Sequence, residues 1–169
     1  GISNTLRYRN LSLSFLIDVR YGGVMYSGTV SDLRVNGMAE ETIGKNRTDI
    51  VDKGVKQDGT ENTTAITPYQ FWSNNYSSKV SEANVFDATF VKLREMVLSY
   101  QMPQRWFKNC FIGSLALGVE GRNLWLMKSN VPHIDPETNI FGPSAVGSGV
   151  EYSAIPTTRS WGFNIKLTF

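Results

Sequence analysis

The residues of this sequence that could do covalent or metal chemistry are few and scattered. Five acids, Asp52, Asp58, Glu61, Asp135 and Glu137, fall in stretches without regular patterning, and no spacing pairs any two of them. A glycosidase needs two carboxylates held across one bond, so these five do not predict one. His133 is the only histidine and lies in a loop between Pro132 and Pro136. A Ser-His-Asp triad would have to use it, and no G-x-S-x-G elbow is present. Cys110 is the only cysteine, which rules out a disulfide within the chain and any multi-cysteine metal centre. The expectation is a protein that is not an enzyme, with no catalytic residue, no metal and no cofactor. What remains is recognition. Tyr69, Phe71, Trp72 and Tyr76 are close enough in sequence to form a platform that stacks on sugar rings. The same four can equally be a loop's own small core. Asp135 and Glu137 flank Pro136 and can either chelate a cation or make a plain Asp-Pro turn.

Something must carry these residues, and the clearest element is Ser160 to Phe169, SWGFNIKLTF. Trp161, Phe163, Ile165, Leu167 and Phe169 are large and apolar, and the residues between them are small or polar. A period of two puts every apolar side chain on one face of a strand. Aromatics at both ends with aliphatics between is the pattern of a strand that crosses a membrane, rings at the two interfaces and aliphatics toward lipid. Eight steps span about 26 Å. Tilted as barrel strands are, they cover roughly 20 Å of depth, close to the apolar band of an outer-membrane barrel. The five residues are therefore expected to face lipid.

Composition agrees with a strand-built membrane protein without proving it. Of 169 residues, 19% are charged and 12% aromatic, against about 25% charged in an average soluble domain. A net charge of +2 and a pI near 8.7 are too mild to point to nucleic acid. No apolar run is long enough for a membrane helix, and mean hydropathy is -0.22, but alternating barrel strands average out on such a measure. No signal-peptide pattern opens the chain, so it is expected to be either unexported or a piece of something longer.

Taken in order, the chain predicts strands at about 2–8, 11–21, 90–102, 111–126 and 160–169, as a single segment. Arg9-Asn10 reads as a tight turn between the first two. In 90–102 the phase slips: Val91 and Leu93 share one parity, Met96, Leu98 and Tyr100 the other, which predicts a bulge near Arg94-Glu95. Residues 24–89 and 127–159 are long and irregular, with short helices expected after Ser31-Asp32 and from Pro68. Connections alternate short and long, so the fold class expected is all-β: an antiparallel up-and-down meander with its long loops, carrying short helices, at one end. A membrane barrel needs that arrangement.

Several stretches also resemble one family. DATFVKLREMVLSYQMP (Asp87–Pro103), LGVEGRNLWLM (Leu117–Met127), DPETN (Asp135–Asn139) and RSWGFNIKLTF (Arg159–Phe169) are similar to the C-terminal end of SusC/RagA-type TonB-dependent outer-membrane transporters. LSLSFLIDVRYGG, an NGM…T…R pattern from Asn36 to Arg47, and DKGVKQDGTEN fit as well. The resemblance implies a nutrient importer in the outer membrane of a Bacteroidetes-type bacterium. Glycan or peptide uptake would be driven through TonB, with a SusD-like lipoprotein as partner. It also implies that Phe169 and its alternating predecessors act as the signal read by the barrel-assembly machinery. A full transporter of this kind has about 22 strands around a plugged lumen. The plug and the TonB-contacting part are missing from this sequence. Within the resemblance, Asp18, Arg20, Glu120, Arg122, Asn164 and Lys166 would face the lumen, and Tyr69, Phe71, Trp72, Tyr76, Asp135 and Glu137 would meet ligand or partner. The rival reading is a soluble β-sandwich module that binds carbohydrate with the same aromatics.

Overall fold

The computed structural model describes residues 1–43, 47–77, 80–108, 111–142 and 149–169. Cys110 lies outside the described residues. The chain divides into two compact units. One comprises Gly1–Tyr21, Thr89–Ser129 and Thr157–Phe169; the other comprises Gly22–Ala88 and Asn130–Pro156.

The first unit is a five-stranded antiparallel meander. Its strands are β1 (Ile2–Tyr8) and β2 (Leu11–Arg20), then Phe90–Gln101, Ser114–Ser129 and Ser160–Thr168. Between them along the chain come five short strands: β3 (Val24–Ser27), β4 (Ile50–Val51), β5 (Ala65–Ile66), β6 (Val85–Asp87) and β9 (Val150–Glu151). The three long strands of the second half are therefore β7, β8 and β10, and the sheet order is β1-β2-β7-β8-β10. The turn between β1 and β2 is two residues, with Arg9 in the left-handed region at φ 52°. β7 and β8 are joined by residues 102–113, which include one helical turn, Gln104–Phe107. Both short connections lie at one end of the sheet, and the long connections leave from the other.

Register explains how one face stays apolar across all five strands. Tyr8, Leu11, Tyr100, Leu117 and Ile165 stand opposite one another in one row. Leu6, Leu13, Leu98, Val119 and Phe163 form the next, and Phe15, Met96, Gly121 and Trp161 the one after, where β1 contributes the polar Asn4. The phase slip in β7 is absorbed by a bulge: Leu93 pairs with Ile17, Glu95 pairs with Leu16, and Arg94 between them has no opposite number. The extra residue returns Val91 and Leu93 to the face of Met96 and Leu98. On β8 the irregularity is matched at Asn123, which sits at φ 51°. That break hides the continuation of β8 to Ser129, past the point where simple alternation ends. At its start, Phe111 leaves the ladder and stacks on Phe169 at 5.8 Å between ring centres.

The second unit has a small core of Met25, Ala88 and Val131, with Phe86 and Ile134 packed on it. β3 lies between β6, antiparallel, and β9, parallel. Helix α1 (Gly28–Val35) follows directly. Its cap is Ser27, whose hydroxyl accepts the Val30 N–H at 3.0 Å. The sequence expectation had placed that cap at Ser31-Asp32, one turn too late. β3 is only four residues long, too short to show a period, so the chain enters the helix before the pattern reveals it. A second short helix, α2 (Pro68–Gln70), opens with a capping box between Thr67 and Gln70. Among the described residues, no helix is long and apolar enough to cross a membrane.

Candidate functional site

Two surfaces carry the chemistry, one in each unit. The first is the apolar face of the meander. On β10, Trp161 is 64% exposed, Phe163 86%, Ile165 67%, Leu167 45% and Phe169 79%. Among the described residues no second layer covers them, as a sandwich core would require. Leu6, Leu11, Leu98, Leu117 and Val119 on the neighbouring strands are also exposed. Exposed apolar side chains on five adjacent strands form the kind of contiguous patch that marks a surface for lipid or a partner. Its two ends are aromatic. Tyr8, Tyr100, Phe111 and Phe169 stand near the short turns, and Trp125 and Trp161 stand toward the other end. Gly121 lets Trp161 lie across the neighbouring strand: a Cβ there would come 3.1 Å from the indole.

The opposite face is polar and holds two ion pairs of its own. Arg94, the bulged residue, donates to the Asp18 carboxylate at 2.6 Å and to the Asn123 side-chain oxygen at 3.2 Å. Arg122 and Glu95 stand opposite each other with their charges 3.8 Å apart. Lys92, almost fully buried, donates to the Thr157 hydroxyl at 2.8 Å. Asn164 lies over Gly118, where a Cβ would collide with its amide. Two carboxylate–guanidinium pairs, Asp18–Arg94 and Glu95–Arg122, thus lie within the strands on this face.

The second surface belongs to the loop unit and is organised by Arg34. Its guanidinium bonds the Glu41 carboxylate at 2.6 Å, the Ala83 carbonyl at 2.7 Å and the Asn84 side-chain oxygen at 2.9 Å. It also lies 4.4 Å over the Trp72 ring and 5.3 Å from that of Phe86. His133 donates from Nε2 to the second oxygen of Glu41 at 2.7 Å. Burial pushes the Glu41 carboxyl up, but Arg34, its own main chain and His133 outweigh it and hold it below the usual carboxylate range. Glu151 is fully buried in β9. It accepts from the Ser27 hydroxyl at 2.6 Å, the Thr29 hydroxyl at 2.5 Å and the Ala154 N–H at 3.1 Å. Tyr152 beside it is hydrogen-bonded to Asp32, which raises the phenol above its ordinary range.

The residues expected to meet ligand fall into three groups. Phe71, Trp72 and Tyr76 pack on one another, with ring centres 4.7–5.7 Å apart. The Tyr76 hydroxyl donates to Asp52 at 3.2 Å, and burial followed by the Asp52 charge raises its pKa. Tyr69 points outward and is 63% exposed. With Arg34, Asn36, Thr42, Arg47 and Thr67 it lines a cavity of about 310 Å³. Asp135 and Glu137 lie in a tight turn: the Glu137 N–H bonds the Asp135 carboxylate at 3.2 Å, and the Thr138 hydroxyl bonds the Asp135 carbonyl at 2.7 Å. Asp58 is likewise occupied by the hydroxyl and N–H of Thr60, which lower its pKa. Among the described residues, no three His, Cys, Asp or Glu side chains are placed to hold a metal ion. Arg34, Glu41 and Glu151 were not singled out by sequence, because a lone charge in an irregular stretch has no pattern to mark it.

Comparison with known proteins follows these two surfaces. No family model matches the chain. Its sequence is 24% identical to TonB-dependent receptor P3 and 26% identical to TonB-dependent receptor P26, both from Formosa agariphila. Each match takes in 100% of this chain, which spans only 16% of the relative's length. The fold is similar to that of the RagAB peptide importer in its open-open state, with TM-score 0.57 and 17% identity over 95% of this chain and 16% of that one. The closed-closed state gives TM-score 0.59 at 17% identity, over 96% of this chain and 16% of that one. A further structure of the RagAB peptide transporter gives TM-score 0.59 at 19% identity, over 95% and 16%. At such identities the structural likeness speaks to the fold.

Proposed function

We infer that this chain, a segment of a TonB-dependent outer-membrane receptor of the SusC/RagA type, supplies part of the barrel wall and outer loops of a nutrient importer. The observation that carries the reading is the register. An apolar face, aromatic at both ends, runs across five strands, backed by a polar face that holds two ion pairs of its own. Hydrocarbon accepts the first face, and a wet lumen accepts the second. β1 and β10 each end the sheet without a further partner among the described residues. Open edges are not tolerated at membrane depth, so further strands must close the barrel.

In this reading Trp161, Phe163, Ile165, Leu167 and Phe169 face lipid, and their alternation is the pattern recognised during barrel assembly. The loop unit faces outward and carries the ligand and partner contacts. The substrate class is a glycan or a peptide, the partner is a SusD-like lipoprotein, and energy arrives through TonB at a part of the protein outside this segment. The segment performs no catalysis. Of the expected contact residues, Tyr69 is the one whose ring is free to stack on a ligand. Phe71, Trp72 and Tyr76 support the loop on which it stands, and the Asp135–Glu137 turn offers a rigid rim to a partner.

The test is Ile165→Arg in the full-length receptor. A guanidinium at mid-bilayer depth costs about 2–4 kcal/mol, and assembled receptor at the cell surface should fall well below the wild-type level. Lys166→Gln, one residue along and on the other face, should leave it unchanged. Wild-type surface levels of Ile165→Arg would contradict the lipid-facing assignment.

A further inference from the structure

The turn end of the sheet has a charge character that barrel closure does not require. Residues 1–17, 96–119 and 160–169, which run from the two short turns up the strands, contain no Asp or Glu, yet they carry Arg7, Arg9, Arg105, Lys108 and Lys166. Arg7 and Lys166 stand opposite Ser12 and Ala116, on the polar face. Arg9, Arg105 and Lys108 are in the turns themselves. The Arg9 guanidinium lies 5.4 Å from the Tyr8 ring. Arg105 and Lys108 line a cleft of about 520 Å³ with Gln104, Phe107, Ile112 and Gly113. Neither has an ion pair among the described residues. Cations and apolar side chains line the cleft together. It is continuous with the apolar face: next to Ile112 is Phe111, stacked on Phe169, and Gly113 donates its N–H to the Thr168 carbonyl at 2.7 Å. Trp106, 62% exposed, sits between the two cations in sequence, as interfacial indoles do at headgroup depth.

We propose that Arg105 and Lys108 bind the phosphate of an anionic phospholipid headgroup, with Phe107 and Ile112 against the glycerol and upper acyl chain and Arg9 and Trp106 at the same depth. This rests on the reading that the apolar face meets lipid, and it adds which headgroup the turn end selects. An unpaired cation at a membrane surface favours an anionic lipid by roughly fivefold. With no acid nearby to cancel them, Arg105 and Lys108 together should give a preference of at least about tenfold.

The experiment uses full-length receptor in nanodiscs of equal phosphatidylglycerol and phosphatidylcholine, partly delipidated, with retained lipid counted by native mass spectrometry. Wild type should keep phosphatidylglycerol preferentially, and Arg105→Gln with Lys108→Gln should lose most of that preference. Equal retention of the two lipids by wild type overturns the proposal, as does an undiminished preference in the double variant. Displacement of retained lipid by millimolar inorganic phosphate also overturns it, since the site would then be one for a soluble anion. Should the double variant fail to assemble, wild type in high salt decides: screening must shrink the preference, and an unchanged one counts against it. A receptor recovered in solution without lipid or detergent fails the barrel reading itself. One that stays in the nanodisc but keeps both lipids alike fails only this inference.

Discussion

At the scale of single residues, the loop unit is held by a few buried charges with several partners each. Glu151 shows the logic. A carboxylate removed from water is costly unless its lone pairs are filled, and here two hydroxyls and one N–H fill them. Glu151→Gln turns one acceptor into a donor that faces the Ser27 or Thr29 hydroxyl. The loss should be about 1–3 kcal/mol, local to β3 and β9. Hydrogen exchange checks it: amides of Val24–Ser27 and Val150–Glu151 should exchange faster, while the five long strands keep wild-type protection. Unchanged protection in β3 and β9 would mean that the carboxylate holds nothing. Neither this residue nor the Arg34–Glu41–His133 chain was legible in the sequence. Their partners lie far along the chain, 124 positions for Ser27 and Glu151 and 92 for Glu41 and His133, and a long loop has no period from which such pairs could be read.

At the scale of elements, legibility follows periodicity. β1, β2 and β10 alternate apolar with polar or small residues apart from Asn4 and Leu16, so their course is plain from residue types alone. β7 broke the period, and the break itself was informative: two parities in one strand require one extra residue, and Arg94 is that residue. The short helix after β3 was misplaced by a turn because Ser27 caps it from the end of a strand too brief to recognise. The bulge yields a prediction. Deleting Arg94 should turn Phe90–Leu93 over, sending Val91 and Leu93 to the polar face and Lys92 toward lipid. Arg94→Ala removes the Asp18 and Asn123 contacts but keeps the extra residue. Heat-modifiable mobility of the folded receptor should be lost in the deletion and largely retained in Arg94→Ala. Equal behaviour of the two would show that the bulge does not set the face.

At the scale of the whole molecule, the chain is a five-stranded antiparallel sheet and a loop unit with its own small core. The fold class was legible because the lengths of the connections alternate along with the side chains. The ligand surface was not: four nearby aromatics are equally a platform or a core, and only coordinates show three of them packed together with Tyr69 left outward. The central claim is that hydrocarbon covers the odd-numbered face of β10. Single cysteines placed along residues 160–169 of a Cys110→Ser full-length receptor in membranes test it most directly, each probed with a charged, water-soluble maleimide and with a fluorophore quenched by brominated lipid. The account predicts strict alternation: positions 161, 163, 165 and 167 quenched by lipid and closed to the maleimide, positions 162, 164 and 166 not quenched. Uniform reactivity, or quenching on both parities, would contradict it.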